Sequence, residues 1–400
     1  MATTTDILII GGGVVGLSTG IALLEANPRL KVIIVEKEKT IAMHASGRNS
    51  GVLHAGFYYT PNSLKAQFCR DGNLELRKIA KKYDIPVLNV GKIVVARNSE
   101  EAQRIDDLFS RGIKNGVELE IHNQEKLVDF EPLARTVDKF LWSPNTGVSD
   151  PASISKALLK EFESKGGKIY FGEKLDLSNR ASQIVDPTGK YLFKHVINAS
   201  GAQSDRIARA LGIGNEYAML PFMGVYRATS SLNLPLRHLI YPVPHPINPF
   251  LGVHFTLTID GKVKIGPTAI PITGREQYSL RKGWSISDLG QAIKAFLSLS
   301  TNDTHSVSAI LKSEWPKISE KYLVRESSDL VPSVTKVKSW QAKPPGIRAQ
   351  LVHLPSGRLE QDFVIKNAGN STHILNAVSP GWTCSIPFGN YVAKQVLDKY

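Results

Sequence analysis

The stretch from Asp6 to Ala26, DILIIGGGVVGLSTGIALLEA, constrains this chain more than any other. Ile7 to Ile10 form a short apolar run that reads as a buried strand. Gly11, Gly13 and Gly16 follow in the spacing G-x-G-x-x-G. Gly11 permits a tight turn, Gly13 lets the backbone approach a pyrophosphate, and Gly16 lets the next helix pack close to the strand. The N-terminus of that helix presents free N–H groups and a positive dipole end to phosphate. A second apolar run, Lys31 to Val35, ends in Glu36, the place for a carboxylate that accepts from both ribose hydroxyls of an adenosine and disfavours a 2′-phosphate. The reading is a βαβ unit that holds an adenine dinucleotide. The motif alone leaves NAD and FAD both open. Residues 7–24 carry no charge, but no Lys or Arg precedes them and the glycines fall at nucleotide-binding spacing, so the run reads neither as a signal peptide nor as a membrane span.

The remainder of the 400 residues bounds the class. Length suggests about two domains, and a 42% apolar content is enough for sizeable cores. The two cysteines, Cys69 and Cys384, form no CxxC and no metal-ligand spacing, which points to a reducing compartment with neither a disulfide framework nor a metal site. The net charge is +13, and residues 221–350 hold 16 Lys+Arg against 8 Asp+Glu, or +8 of that total. An anionic substrate, an anionic membrane surface or nucleic acid could answer that charge. No basic run is interleaved with aromatics, so no nucleic-acid partner is expected.

After the second strand, a nicotinamide enzyme would run on through further βα units. This chain instead enters HASGRNSGVLHAGFYY, residues 44–59. Ser46, Gly47, Ser50 and Gly51 are small enough for the backbone to pass close to a flat ring and its diphosphate. Two more segments suit the same group. KHVINASGAQSDRIA reads as a strand, a turn at Ser200-Gly201 and a helix capped by Ser204 or Asp205. HILNAVSPGWTCSIPFGNYVAKQVL reads as a strand, a turn at Ser379-Pro380-Gly381 and a helix whose dipole would stabilise the negative charge of a reduced flavin. These segments favour FAD.

With those residues in view, the chain resembles the D-amino-acid-oxidase-like superfamily of FAD oxidoreductases and, within it, the L-2-hydroxyglutarate dehydrogenase/oxidase family. The resemblance rests on HASGRNSGVLHAGFYY with Ser63-Leu64-Lys65-Ala66, on YPVPHPINPFLGVHFT, IGPTAI, GIRAQLV and QDFVI, and on NAVSPGWT, in that order along nearly the whole chain. It departs from the pattern at His245, where the family has an acid, in the bulkier SPGWTCSIPFG turn, and over 275–330.

The resemblance implies an α/β plus α+β architecture, a Rossmann-like FAD-binding domain (1–88, 145–215, 340–400) interleaved with an antiparallel-sheet substrate domain (89–144, 216–339). It implies oxidation of a 2-hydroxy dicarboxylate by hydride transfer to the flavin, with quinone or O₂ as electron acceptor. His54, then His254, are the candidates for the base or hydroxyl-orienting group. Arg348, read as lying in a Pro- and Gly-rich turn, is the candidate carboxylate clamp, with Tyr58, Tyr241 and Lys65 as further donors. Arg48, Asn49, Trp382 and Thr383 join the glycines and serines around the flavin. FAD is expected to be held without a covalent bond, although His44-Ala-Ser-Gly resembles a motif that carries covalent flavin in related branches. The rivals are an amine or amino-acid oxidase acting on glycine or sarcosine, a glycerol-3-phosphate oxidase, or a binding module that has lost catalysis.

The segment ISDLGQAIKAFLSLS, 286–300, has helical apolar spacing, with Trp284, Lys294, Lys312, Trp315 and Lys317 nearby. It reads first as an ordinary amphipathic core helix and second as a patch that docks on an anionic membrane. The expected location is cytoplasmic, peripheral on an inner membrane, or mitochondrial behind a removed leader.

Overall fold

The computed structural model describes residues 2–175, 190–245, 250–301 and 312–399. Part of the quoted segment 241–256 therefore lies outside the described residues.

Six strands form the first sheet, in the order Val364–Ala368, Ser371–Asn376, Tyr191–Asn198, Thr3–Ile10, Val32–Glu36 and Lys168–Phe171. All neighbours are parallel except the first pair, which is antiparallel. Ile7 to Ile10 pair with Val32 to Val35 on one side and with His195 to Asn198 on the other. A strand flanked on both edges and covered on both faces must be apolar throughout, which is why this stretch has no alternation. Helices Val14–Ala26 and Ser385–Leu397 pack on each other over one face. The last helix starts at Ser385, four residues beyond the Ser379-Pro380-Gly381 turn, and the turn rather than the helix lines the cavity.

The second sheet runs Arg358–Leu359, Gln341–His353, Tyr217–Ser230, Lys262–Gly266, His254–Leu257, Leu239–Pro242, Lys92–Val95, Lys139–Ser143 and Glu120–Asn123. It is antiparallel except where Lys92–Val95 meets Leu239–Pro242. A third, small sheet is formed by Val52–Leu53, Gly147–Ser149 and Val87–Leu88, in that order.

One expected boundary moves. Gln341–His353 pairs with Tyr217–Ser230 along its length, so this strand belongs to the second sheet, and the chain rejoins the first only at Val364. Pro344 and Pro345 had suggested a turn. They occupy the bulge where the register shifts between Gly224 and Tyr226, one of the few places a sheet accepts proline. Arg348 therefore projects from a strand, opposite Phe222.

The predicted side-chain cap on helix Ser204–Ala210 is absent. Asp205 has a different task. With Arg275 it forms a buried ion pair, and Arg275 Nε also holds Asp288 at 2.9 Å, while Arg209 reaches Asp205 at 2.8 Å. This network ties the loop before helix Ile286–Ser300 to the first layer. Burial pushes the Asp205 carboxyl up, but Arg275 and Arg209 hold it below the ordinary carboxylate range. Its contribution is therefore present above the ordinary carboxylate pKa and is lost as pH falls through the depressed one. Arg275→Ala, which takes the cation from Asp288 and leaves buried Asp205 with Arg209 alone, is expected to destabilise the fold by about 3–5 kcal/mol, read as a lower urea midpoint.

Candidate active site

A cavity of 960 Å³ runs from the Gly11–Val14 turn to the face of the second sheet. It is at the upper end of the usual range for small-molecule sites. At its nucleotide end, Gly11 sits at φ +107°, and a Cβ there would stand 2.6 Å from the carbonyl oxygen of Ala199. A Cβ on Gly16 would lie 2.1 Å from the Gly11 oxygen, so helix Val14–Ala26 could not seat against the turn. Glu36 accepts from the backbone N–H of Gly12 (2.8 Å) and of Glu38 (2.9 Å), which fixes its carboxylate at the strand end. The helix N-terminus has no side-chain cap of its own at Gly13; Ser46 Oγ accepts from Val14 N at 3.0 Å. A helix N-terminus with no cap from its own N-cap residue, a fixed acid and glycines that admit no Cβ fit an adenine dinucleotide.

Ser46, Arg48, Asn49, Ser50, Ser200, Gly201 and Ser379 to Thr383 line the cavity beyond the cradle. Asn49 braces its own loop, donating to the carbonyls of Ala45 (3.1 Å) and Ser46 (3.0 Å) and accepting from Gly51 N (2.9 Å). Gly47 and Gly51 are not on the cavity surface; they pack their loop against Ala42 and Ser149. Thr383 donates to the Val52 carbonyl (3.0 Å) and accepts from His54 N (3.3 Å), joining the last turn to the 44–59 strip.

His44 also lines the cavity, with both ring nitrogens engaged. Nδ1 meets the Tyr278 hydroxyl at 2.6 Å, and Nε2 lies 2.9 Å from Glu38 and 3.0 Å from Lys37 Nζ. The Arg48 guanidinium lies over the Tyr278 ring at 4.2 Å. Glu38, His44 and Glu276 are close enough to resemble a metal site, but the Lys37 ammonium sits among them, 2.6 Å from Glu38 and 2.9 Å from Glu276.

Beyond the cradle, His54, His254, Tyr241 and Arg348 also line the cavity. His254 Nδ1 donates to the Gly252 carbonyl at 2.8 Å, so its Nε2 keeps the lone pair. Its ring stacks on Tyr241 with centroids 3.8 Å apart. Burial lowers the His254 pKa to about 3 and takes His54 well below its ordinary value, so both imidazoles are neutral at physiological pH. Arg348 Nε donates to Gln350 at 3.2 Å, and its guanidinium lies 4.9 Å from the Phe250 ring. It forms no ion pair among the described residues, and burial lowers its pKa to about 10. A cation held this way, on a cavity wall, is set up to receive an anion.

Two expected donors do not line the cavity. Tyr58 packs on Phe57, with ring centroids 4.1 Å apart, and its hydroxyl is buried off the cavity wall. Lys65 lies in the first turn of helix Leu64–Lys82, its ammonium 5.8 Å from the Phe363 ring. Sequence reasoning did not single out Tyr278 or Lys92. Tyr278 lies 234 residues from His44 and carries no local signal. For Lys92 there was one, a lysine opening the otherwise apolar strand run KIVV.

The dinucleotide cradle, the antiparallel roof and the cavity between them define a flavin-dependent oxidoreductase. The family model described as FAD dependent oxidoreductase matches residues 6–395, and the chain belongs to that family. It is 37% identical to an L-2-hydroxyglutarate dehydrogenase of Escherichia coli, over 98% of this chain and 93% of that one. It is 35% identical to a mitochondrial L-2-hydroxyglutarate dehydrogenase of Caenorhabditis elegans, over 99% and 94%. Among solved structures, the L-alpha-glycerophosphate oxidase of Mycoplasma pneumoniae superposes with TM-score 0.73 at 21% identity, covering 99% of this chain and 95% of that one. A glycine oxidase of Bacillus cereus gives 0.69 at 19% identity, covering 99% and 96%. At those identities the two structures speak for the fold alone.

Proposed function

We propose that this chain oxidises L-2-hydroxyglutarate to 2-oxoglutarate. The observation that carries the reading is the lining of the cavity. An arginine with no ion pair among the described residues and two neutral imidazoles line one cavity, and relatives of more than a third identity carry that dehydrogenase's name. FAD, when bound, supplies the acceptor for the hydride from the hydroxyl-bearing carbon. Arg348 binds a substrate carboxylate. His254 Nε2 takes the hydroxyl proton, and His54 orients the hydroxyl from the neighbouring wall. The neutral imidazoles and the positive wall support a hydroxy acid over the amine of a glycine or sarcosine substrate. The retained cradle and cavity support catalysis over a binding module.

The test is an anaerobic titration. L-2-hydroxyglutarate should bleach the oxidised-flavin band at about 450 nm, while the D-enantiomer, glycerol 3-phosphate and sarcosine should not. Bleaching by one of those others instead would replace the substrate assignment. We also propose that the flavin is held without a covalent bond, since both nitrogens of His44 already have partners. Acid precipitation should then leave the colour in the supernatant.

The electron acceptor in this reading is a quinone of an anionic membrane. Helix Ile286–Ser300 buries Ala292, Ala295 and Leu299 and turns its large apolar residues outward. Ile286 is 92% exposed, Leu297 62% and Trp284 66%. The expectation of a core helix named the right period but the wrong face, because the small residues pack on the second sheet. Arg281, Lys282, Lys294 and Lys312 are exposed, and Trp315 is too; Lys317 is instead buried in ion pairs with Glu314 and Glu326. Apolar residues ringed by cations suit an acidic lipid surface. Among the described residues no helix is long and apolar enough to cross a membrane, so attachment is peripheral in this reading. The wild type should float with vesicles rich in phosphatidylglycerol. Ile286→Glu with Leu297→Glu should weaken that binding at least about tenfold and leave turnover with a soluble dye unchanged. Equal flotation of both proteins would rule the patch out.

A further inference from the structure

Lys92 is 0% exposed, and its Nζ has no hydrogen-bond partner among the described residues. The ammonium lies 4.1 Å from the Tyr241 ring centroid, 5.0 Å from that of Tyr58 and 5.5 Å from that of Phe57. It forms no ion pair with a carboxylate among the described residues. Its strand pairs in parallel with Leu239–Pro242, Lys92 opposite Leu239 and Val94 opposite Tyr241, which puts Lys92 and Tyr241 on one face as diagonal neighbours. Tyr241 is the ring on which His254 stacks. His54 Nδ1 is also buried and without a hydrogen-bond partner among the described residues, and His54 lines the same cavity as Tyr241 and His254. A buried lysine with no acid is costly, and an apolar residue of similar volume normally serves a core better. Faces of tyrosines are weak compensation.

We propose that Lys92 is a positioning residue of the active site, whose amine, from behind the Tyr241 wall, keeps His54 and His254 in their proton-accepting form. A cation there makes a second positive charge on either imidazole unfavourable, so the histidines stay neutral in acid. After burial, the charge of Lys92 is the largest cause lowering His54, and for His254 it acts with that of Lys264. Lys92 itself is pulled down to about 7 by its burial, with Cys69 opposing weakly. The titratable groups around this cluster are thus Tyr58, Tyr226, Tyr241, Cys69, Lys264 and the two histidines. The inference rests on the hydroxy-acid reading, in which a neutral imidazole takes the hydroxyl proton.

The experiment follows anaerobic flavin bleaching by L-2-hydroxyglutarate across pH for the wild-type holoenzyme, Lys92→Met and Lys92→Arg. In wild type the rate should hold down to well below the ordinary histidine pKa. In Lys92→Met the acid limb should move up by about one pH unit, a tenfold loss at acid pH with little change at pH ~8. Lys92→Arg, which keeps the charge, should keep the wild-type limb. The melting temperature of Lys92→Met should rise, since a buried unpaired amine is gone; a lysine kept for structure would show the reverse. An unmoved acid limb in Lys92→Met overturns the proposal. So does a Lys92→Met that fails to fold while Lys92→Arg retains flavin but has lost the low acid limb. If the wild type itself is not bleached by the hydroxy acid, the substrate reading fails instead.

Discussion

Arg348→Ala is expected to cut kcat/KM for the dicarboxylate by roughly 30-fold to a few thousandfold, the equivalent of about 2–5 kcal/mol for removing one partner of a buried charged pair. The guanidinium has no acid of its own among the described residues, and its wall position leaves it available to the cavity. The loss should appear chiefly in KM if the contact is equally strong in ground and transition states. Arg348→Lys should recover little, because a point charge cannot reproduce the planar fork. Steady-state kinetics with 2-hydroxyglutarate and with 2-hydroxybutyrate, which lacks the distal carboxylate, would separate the two carboxylates. A variant whose kcat/KM stays within threefold of wild type for both substrates would remove Arg348 from the site.

The second large effect is expected at the histidines. His254→Ala should lower the rate of flavin reduction by about 10²–10⁴, the range for a lost general base. His254 is the better defined acceptor of the pair, since the Gly252 carbonyl holds its Nδ1–H and so leaves Nε2 bare. His54→Ala should cost less and raise KM, as an orienting contact would. Both folded-state pKa values are depressed, so each imidazole is neutral above its lowered value, and the wild-type rate should decline only in strong acid. Stopped-flow reduction at several pH values checks this. A larger loss at His54 than at His254 would exchange the two roles.

The residues behind these proposals were unevenly visible before the fold was known. The cradle was legible because its logic is local. Gly11, Gly13, Gly16 and Glu36 lie within one βαβ unit, and each is required by a contact a few ångströms away, such as the amide of Gly12 on Glu36. The placement of His54 and His254 on the cavity wall was legible through motif resemblance. Arg348 was legible by type, but its setting was read as a turn, since Pro344 and Pro345 usually end a strand and here fill a bulge. Helix Ile286–Ser300 shows the limit of periodicity, which tells that one face is apolar but not whether that face is covered.

What the amino-acid order determined by itself is therefore the nucleotide-binding unit and the kinds of side chain available to the chemistry. The tertiary structure alone decided which of them meet. His254 and Tyr241 come from strands that pair in the second sheet, Arg348 from a strand far along the chain that joins the same sheet, and His54 from the strip that Thr383 pins from the other end of the sequence. It also decided that Tyr58 and Lys65 do not line the cavity and that Lys92 is buried with no ion pair among the described residues. The reason is physical. A helix cap or a glycine turn is satisfied within a few residues, whereas the charge state of a buried imidazole depends on burial and on neighbours that only packing brings within reach.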